Sequence, residues 1–285
     1  MIDIRFRNKG RLGNRMFRYM YLRLLQDRLG PSRLQGYYMP EWNLRSAPDE
    51  LQGRVLKIGE GHRYDPAEIA DQLNRRVFDG LDFAGYVQRL EYYPDRAHCA
   101  GMFVSPPAPD EHLRGPRHIT IHVRGEDILT TPHRYYMPVQ PDLLERIVAR
   151  TGLEPVLVGQ IGDDAYSAEI RRRFAGCTVV PQRSVAEDFA FIRCSTNIVL
   201  SVSSFSWLAA WLSETARQVH LPLQGAYHPR VAPDLDLLPM RDDRYLFYEA
   251  PVMEWKGRPE QWARVMGSAG DLVEVSPAEV RALVP

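Results

Sequence analysis

The chain has 285 residues, of which 45% are hydrophobic and 25% are charged. This composition describes a globular protein and excludes a collagenous, disordered or repeat chain, and the length suits two α/β lobes. The 36 basic and 36 acidic side chains cancel, so no global field draws the protein to nucleic acid or an anionic membrane, and any anion site must be local.

The first predicted elements are a strand, a tight turn and a helix. Residues 2–7 alternate apolar and polar side chains, and a glycine turn at 10–13 leads into apolar residues at helical spacing. Apolar runs at 54–58 and 83–87 continue this lobe. The segment 105–109, Ser-Pro-Pro-Ala-Pro, then predicts a stiff linker.

We therefore expect an N-terminal α/β lobe of residues 1–108, on the acceptor side, and a C-terminal Rossmann-like lobe of residues 109–285. The last helix of the C-terminal lobe could pack back on the first lobe. The second lobe alternates strands with helices, which predicts a parallel sheet covered by helices. A capping box, Ser184 with Glu187, marks one helix start. The predicted strands are 118–123, 156–159, 178–180, 197–202 and 218–222, and the predicted helices are 141–150, 164–174, 184–194, 204–214 and 277–283.

The cysteines and the N-terminus bear on the cellular compartment. Cys99, Cys177 and Cys194 are an odd number with no C-x-x-C pair, which argues against a disulfide framework and a zinc site. The first residues lack the apolar run of a signal peptide, and no stretch approaches the roughly 20 apolar residues of a transmembrane helix. We expect a cytoplasmic protein without a transmembrane segment.

Two segments of the second lobe could hold an anion. His122 and Arg124 lie at the end of a strand, where alternation puts both on one face, and Ser203 to Ser206 stand where another strand leads into a helix. Hydroxyls and amides at a helix start can hold a phosphate while an arginine neutralises the rest of a diphosphate. The structural alternative is a serine N-cap beside a satisfied strand-end pair. A third segment, Gly10 to Arg15, is either a ligand-facing turn or a plain tight turn.

These segments resemble motifs of the α-1,2-fucosyltransferase family, in family order from residue 10 to about 215. The segment 10–19, Gly-Arg-Leu-Gly-Asn-Arg-Met-Phe-Arg-Tyr, is similar to G-x-L-G-N-Q-M-F-Q-Y, and 122–127, His-Val-Arg-Gly-Glu-Asp, is similar to H-x-R-R-G-D. The segment 203–212 resembles N-S-S-F-S-W-W-A-A-W-L. Shorter matches are 85–88 with 92–93, 135–136, 162–164 and 188–192.

The resemblance implies a GT-B-like fold, two Rossmann-like lobes with a cleft between them. It also implies a GDP-linked sugar donor, inversion at the anomeric carbon, and no cofactor or metal. Arg124 would bind the diphosphate and His122 would lie near the nucleotide. The donor-binding residues expected from it are Gly13, Asn14, Arg15, His122, Arg124, Ser203, Ser204, Phe205 and Ser206.

The chain departs from the family at the arginine pair. The second arginine of the motif falls on Gly125, and its glycine falls on Glu126. This loss removes a charge-assisted contact of about 1.5–3 kcal/mol, so the donor sugar could differ. Arg15, where the motif has glutamine, is our candidate for restoring the charge.

An inverting displacement usually needs a base, and Glu126 and Asp127 are the nearest carboxylates in sequence. With Arg124 they are the candidate catalytic residues. Structural roles for both carboxylates, or proton transfer to the departing phosphate, remain open. We expect a glycosyltransferase that moves a deoxyhexose, fucose from GDP-fucose, to a hydroxyl of a carbohydrate or secondary-metabolite acceptor. The alternatives are a different nucleotide sugar, or a non-catalytic nucleotide-sugar-binding protein of the same fold.

Overall fold

The computed structural model describes residues 1–283, apart from the side chain of Asp127. The chain divides into two compact units, which are described separately. The first unit contains Met1–Val104 and Asp234–Asp236, and the second contains Ser105–Pro233 and the chain from Leu237 onward.

The first unit is built on a parallel sheet. Its strands are β1 (Ile2–Phe6), β2 (Ser32–Gln35), β3 (Tyr38–Met39), β4 (Leu44–Arg45), β5 (Val55–Ile58) and β6 (Gly80–Phe83), and its helices are α1 (Leu12–Gln26), α2 (Pro66–Asn74) and α3 (Arg96–Gly101). The sheet order is β2-β1-β6-β5 with every pair parallel, while β3 and β4 form a separate antiparallel hairpin. β1 forms because Ile2, Ile4 and Phe6 alternate with polar residues and are buried.

The second unit is built on a seven-stranded sheet. Its strands are β7 (His118–Val123), β8 (Glu154–Gly159), β9 (Thr178–Val179), β10 (Asn197–Val199), β11 (Gln218–Leu223), β12 (Tyr245–Glu249) and β13 (Glu274–Val275), and its helices are α4 (Asp127–Thr130), α5 (Pro141–Thr151), α6 (Ala165–Arg173), α7 (Val185–Arg193), α8 (Ser204–Trp211), α9 (Pro259–Met266) and α10 (Pro277–Leu283). The order is β13-β12-β11-β10-β7-β8-β9. Only the β12–β13 pair is antiparallel.

In both sheets the chain first moves outward on one side of its first strand and then crosses to the other side. From β1 it moves outward to β2, crosses to β5 at the far edge and steps back to β6, so the reversal that flanks β1 lies between β1 and β6. From β7 it moves to β8 and β9, then to β10 and beyond, so the reversal lies between β7 and β10. Ligands of open parallel sheets bind at the carboxyl ends of the strands beside such a reversal. We call these places the first and second switch points.

The predicted alternation of strands and helices is confirmed for the second unit. Strand 118–123 and helix 277–283 have the predicted bounds, and the capping box of Ser184 and Glu187 is formed. The fold class is therefore mixed α/β with parallel sheets.

Two predicted elements extend three residues beyond the observed ends. β10 ends at Val199 rather than at residue 202, because the chain then turns instead of continuing the ladder. α8 ends at Trp211 rather than at residue 214, because the Ser213 hydroxyl accepts hydrogen bonds from the Thr215 and Ala216 amides at 3.2 Å and 2.9 Å. The earlier end of β10 matters most, since it frees residues 200–203 to form a loop at the second switch point.

Candidate functional site

At the second switch point, two predicted site residues at the end of β7 meet the segment that follows β10. His122 Nδ1 lies 2.6 Å from Ser201 Oγ, and Arg124 Nη1 donates a hydrogen bond to the Val202 carbonyl at 2.8 Å. These two contacts join the strand ends on either side of the reversal. The residues that alternation placed on one face of β7 thus meet the predicted serine segment.

His122 is buried and uncharged. The residue is 7% exposed, and burial, with the nearby Arg124 guanidinium as a second cause, lowers the pKa of His122 to about 3. Its ring also lies against Phe205, with 6.0 Å between the ring centroids. His122 therefore orients Ser201 and the start of α8, and it supplies no positive charge at neutral pH.

Arg124 is half-buried, and its guanidinium lies over an aromatic ring. The guanidinium carbon is 4.4 Å from the centroid of Tyr136. The loop that carries this ring is fixed by a hydrogen bond of 2.8 Å from the Ala226 amide to the Tyr135 carbonyl. Gly225 permits that approach, because it has a φ of 52° and a Cβ there would lie 2.2 Å from the same carbonyl oxygen. The cation is thus held between a carbonyl and a positioned ring.

The start of α8 uses two of the predicted serines internally. Ser203 caps the helix, since its hydroxyl accepts from the Phe205 amide at 3.3 Å. Ser206 is fully buried and donates to the Ser203 carbonyl at 3.4 Å. Ser204 and Phe205 are partly exposed. The exposed part of this helix start is therefore Ser204 and Phe205, together with the positive end of the helix dipole.

A buried tyrosine that sequence reasoning missed holds the loop before α8. The Tyr227 hydroxyl accepts from the Ser203 amide at 3.1 Å and lies 2.9 Å from each of the Ser201 and Ser203 carbonyl oxygens, one of which receives its proton. Burial raises the pKa of Tyr227, so the phenol stays protonated. Tyr227 lies after β11, where the sequence pattern weakens, and only its position shortly after Gly225 could have drawn notice.

The residues after Arg124 form a tight turn. A Cβ on Gly125 would lie 2.9 Å from the Gln160 carbonyl oxygen, so as the loops lie here an arginine at this position would collide with backbone. Glu126 has a φ of 45°, a left-handed conformation that favours glycine, and its carboxylate accepts from Gln160 Nε2 at 2.7 Å. Asp127 begins α4, and its side chain lies outside the described part of the chain.

Asp188 is a second site feature that sequence reasoning did not select. It lies in the first turn of α7, directly before Phe189, whose ring contacts Phe205 edge to face at 5.3 Å. Within residues 1–283 its buried Oδ1 has no hydrogen-bond partner. Burial raises the pKa of Asp188 to about 6, against the opposing charge of Arg183. A buried carboxylate oxygen of this kind is suited to receive N–H groups of a ligand.

The other predicted donor-binding residues, Gly13, Asn14 and Arg15, belong to the first unit. Gly13 is buried in the first turn of α1. Asn14 Oδ1 accepts from Gln88 Nε2 at 2.8 Å. Arg15 Nη1 donates to the Tyr38 carbonyl at 2.6 Å. These residues and the cluster at the second switch point are thus carried by different units.

The first switch point is filled by Arg18, where the resembled motif has glutamine. The side chain is fully buried, and burial lowers the pKa of Arg18 to about 10. Among the described residues, the guanidinium donates only to backbone carbonyls, which follow β1 and β6. These acceptors are the carbonyl oxygens of Arg7, Lys9, Ala84 and Gly85. The crevice that a ligand would use in this sheet is occupied by the protein itself.

A cavity of about 430 Å³ lies at the opposite edge of the seven-stranded sheet. It is lined by the first residues of three strands, His118, Glu154 and Thr178, and by Arg173 and Cys177. It contains none of the predicted site residues. Because helix N-termini and strand carboxyl ends face the other edge, the second switch point remains the better candidate for an anionic ligand.

The described part of the chain has neither a metal-binding group nor a membrane-spanning helix. Residues 1–283 contain no group of three or more His, Cys, Asp or Glu side chains placed to hold a metal ion, the Asp127 side chain not being included. Over the same residues, no helix has the length and apolar content to cross a membrane. Searches of protein-family models and of curated proteins found no match to this chain.

Proposed function

We propose that the chain is an inverting, metal-independent glycosyltransferase whose two units are the lobes of a GT-B-like fold. It would move fucose, or a related deoxyhexose, from GDP-fucose to a hydroxyl of a glycan or small-molecule acceptor. The observation that carries the proposal is Arg124 at the second switch point, joined to the segment that leads into α8. The motif resemblance from residue 10 to about 215 supports the same assignment.

Arg124 and the start of α8 are suited to a diphosphate. A guanidinium forms bidentate, charge-assisted hydrogen bonds with phosphate oxygens, and the helix start offers amides and a positive dipole end. Charge develops on the phosphate as the bond to the sugar breaks, and groups fixed in advance stabilise that charge without rearranging. His122 would orient this site while remaining neutral.

Asp188 is suited to the base of the nucleotide. Guanine presents two adjacent N–H donors on one edge, and a carboxylate can accept both. The buried oxygen of Asp188 without a partner favours a ligand that donates. Uracil and thymine offer one N–H to a carboxylate and guanine offers two, so the carboxylate favours GDP over UDP or dTDP. The aromatic contacts from Phe189 through Phe205 to His122 connect this carboxylate to the end of β7.

The turn at Gly125 and Glu126 also supports the resemblance. Glu126 adopts the left-handed conformation where the resembled motif has glycine, so the backbone there follows the requirement of the motif although the residue type does not. The carboxylate of Glu126 or Asp127 would accept the proton of the acceptor hydroxyl. The hydroxyl oxygen bonds to the anomeric carbon, the carbon–phosphate oxygen bond breaks, and its electron pair leaves with GDP.

A second candidate function is nucleotide-sugar binding without turnover, or transfer from another donor. The close approach of Gly125 to the Gln160 carbonyl favours this second candidate. In the present loop conformation, an arginine side chain at position 125 would collide with that carbonyl. With less positive charge beside the leaving group, departure of the diphosphate would be slower.

The test is a thermal-shift panel of GDP, UDP and dTDP followed by incubation with GDP-fucose. A ligand at about 100 times its Kd stabilises the fold by about 2.7 kcal/mol, so GDP should raise the Tm by several degrees and the other two should not. Release of GDP from GDP-fucose supports the transferase. Tight GDP binding with no turnover of any GDP-sugar supports the binding protein, and a shift with UDP or dTDP alone shows that the donor assignment is wrong.

A further inference from the structure

The first unit carries a second polar cluster, away from its filled switch point. The cluster consists of Arg15 in the first turn of α1 and of Tyr38 and Glu41 in and after β3, and we call it the Tyr38 cluster. Its backbone is fixed from two sides. Asn8 Oδ1 accepts from the Tyr38 amide at 3.0 Å, and Arg15 Nη1 donates to the Tyr38 carbonyl at 2.6 Å. Asn8 follows β1, so the cluster lies near the carboxyl end of that strand.

The charged pair of this cluster is incompletely satisfied. Arg15 Nη2 and Glu41 Oε1 are 3.9 Å apart, which is too long for a hydrogen bond. In the described part of the chain, neither Arg15 Nε nor Glu41 Oε2 has a hydrogen-bond partner. Both side chains are about one-fifth exposed, at 19% and 21%. The two unpartnered atoms are shut off from solvent, so a ligand would meet the exposed fifth of each side chain, where the long ion pair leaves room for a group that both donates and accepts.

The sign of the charges limits the ligand class. Glu41 repels an anion such as a phosphate, and Arg15 repels an organic cation. A hydroxyl can accept from the guanidinium and donate to the carboxylate, so the pair fits the hydroxyls of a neutral sugar.

An exposed aromatic side chain belongs to the residue whose carbonyl accepts from Arg15. Tyr38 is 54% exposed, although its backbone is held on both sides. The neighbouring Tyr37 ring packs against the Tyr19 ring of α1, with 5.2 Å between centroids, and this contact also anchors the segment. An exposed ring on a fixed backbone can cover the apolar face of a pyranose at low entropic cost.

We propose that the Tyr38 cluster is a binding site for a neutral pyranoside, with Glu41 and Arg15 bound to its hydroxyls and Tyr38 covering its apolar face. The role of this sugar as the acceptor rests on the proposed function, whereas the binding itself does not. Arg15 then serves the acceptor in its own unit rather than the diphosphate.

The test measures saturation transfer by NMR from the full chain to methyl pyranosides of galactose, glucose, mannose and N-acetylglucosamine. At least one should bind to the unaltered protein. Glu41→Gln and Tyr38→Ala should each weaken it by about tenfold or more, and the exposed Glu50→Gln variant should leave it unchanged. Because Tyr38 is exposed, its variant keeps the test valid if Glu41→Gln fails to fold.

The same variants, together with Arg15→Met, are titrated with GDP. Unchanged GDP affinity, with sugar binding weakened in the Glu41, Tyr38 and Arg15 variants and kept in Glu50→Gln, supports the proposal. The proposal is overturned if no pyranoside binds, if Glu41→Gln and Tyr38→Ala bind it like Glu50→Gln, or if Arg15→Met weakens GDP and leaves the sugar unaffected. Sugar binding without any GDP binding supports the Tyr38 cluster and contradicts only the proposed function.

Discussion

Each of the two switch points contains an arginine side chain, and the two arginines differ in burial and in their contacts. At the first, Arg18 is fully buried and donates to carbonyls that follow β1 and β6. At the second, Arg124 is half-buried, donates to the Val202 carbonyl and lies over Tyr136. Arg18 fills the edge of its sheet, whereas Arg124 is only half-buried. Topology therefore offers a ligand position in both sheets, and side chains decide which is kept.

The largest effect is expected at the first switch point. Arg18→Met leaves buried carbonyl oxygens without donors, so the free energy of unfolding should fall by about 3 kcal/mol or more. This free energy is measured by urea unfolding, monitored by circular dichroism. Arg23→Met, on the exposed side of the same helix, is the control and should change little. Equal stability of the two variants would mean that Arg18 does not hold this edge together.

Arg124→Met should act on binding rather than on folding. Loss of a charge-assisted contact of about 1.5–3 kcal/mol predicts GDP affinity roughly 10 to 150 times weaker, measured by isothermal titration calorimetry. The exposed Arg217→Met variant, in the same unit, should keep the affinity of the unaltered protein. If Arg124→Met binds GDP as well as Arg217→Met does, the second switch point is not the diphosphate site.

Asp188 should make the free energy of unfolding depend on pH. Its pKa is raised by burial to about 6 from an ordinary 3.8, so the folded state holds this proton more tightly than the unfolded state. The contribution of Asp188 to stability should therefore fall as pH rises from about 4 to about 6, by at most roughly 2–3 kcal/mol.

The measurement is urea unfolding of the unaltered protein and of Asp188→Asn across this pH range. The variant cannot titrate, so it should gain stability relative to the unaltered protein as pH rises. Asp163→Asn, at an exposed position, should show no such trend. A constant difference between Asp188→Asn and the unaltered protein would contradict the raised pKa.

The smallest effect is expected at Tyr227. Tyr227→Phe removes the hydroxyl that accepts a hydrogen bond from the Ser203 amide in the loop before α8. The free energy of unfolding should therefore fall by about 1–2 kcal/mol. GDP affinity should fall with it, because the loop positions the helix start. Differential scanning calorimetry with and without GDP measures both. The exposed Tyr38→Phe variant is the control, and matching melting points would show that the loop does not depend on Tyr227.

Local pattern predicted the second unit better than it predicted the details of either switch point. Strand 118–123 and the Ser184 capping box follow from residues close together in the sequence, and both are present. Alternation also placed His122 and Arg124 on one face, and both bond to the loop after β10. These features depend on periodicity, which a sequence shows directly.

The parts that were missed depend on distant contacts. Arg18 donates to carbonyls 66 and 67 residues away, and nothing near it in the sequence indicates that its charge is buried among backbone groups. Tyr227 bonds to residues 24 and 26 positions earlier, across a region of weak pattern. The collision expected at Gly125 likewise arises from Gln160, on a loop after another strand. Such features require the strand order before they can be predicted.

The seven-stranded sheet ends on both sides in a strand of only two residues, β9 and β13. An edge strand presents unpaired amides and carbonyls, and a long one is a template on which other chains can add strands. Two-residue edges offer too short a ladder for that, and Pro181 follows β9 after a single residue. We therefore expect concentrated samples of this protein to resist fibre formation through this sheet, because its edge strands are short and not because of its net charge.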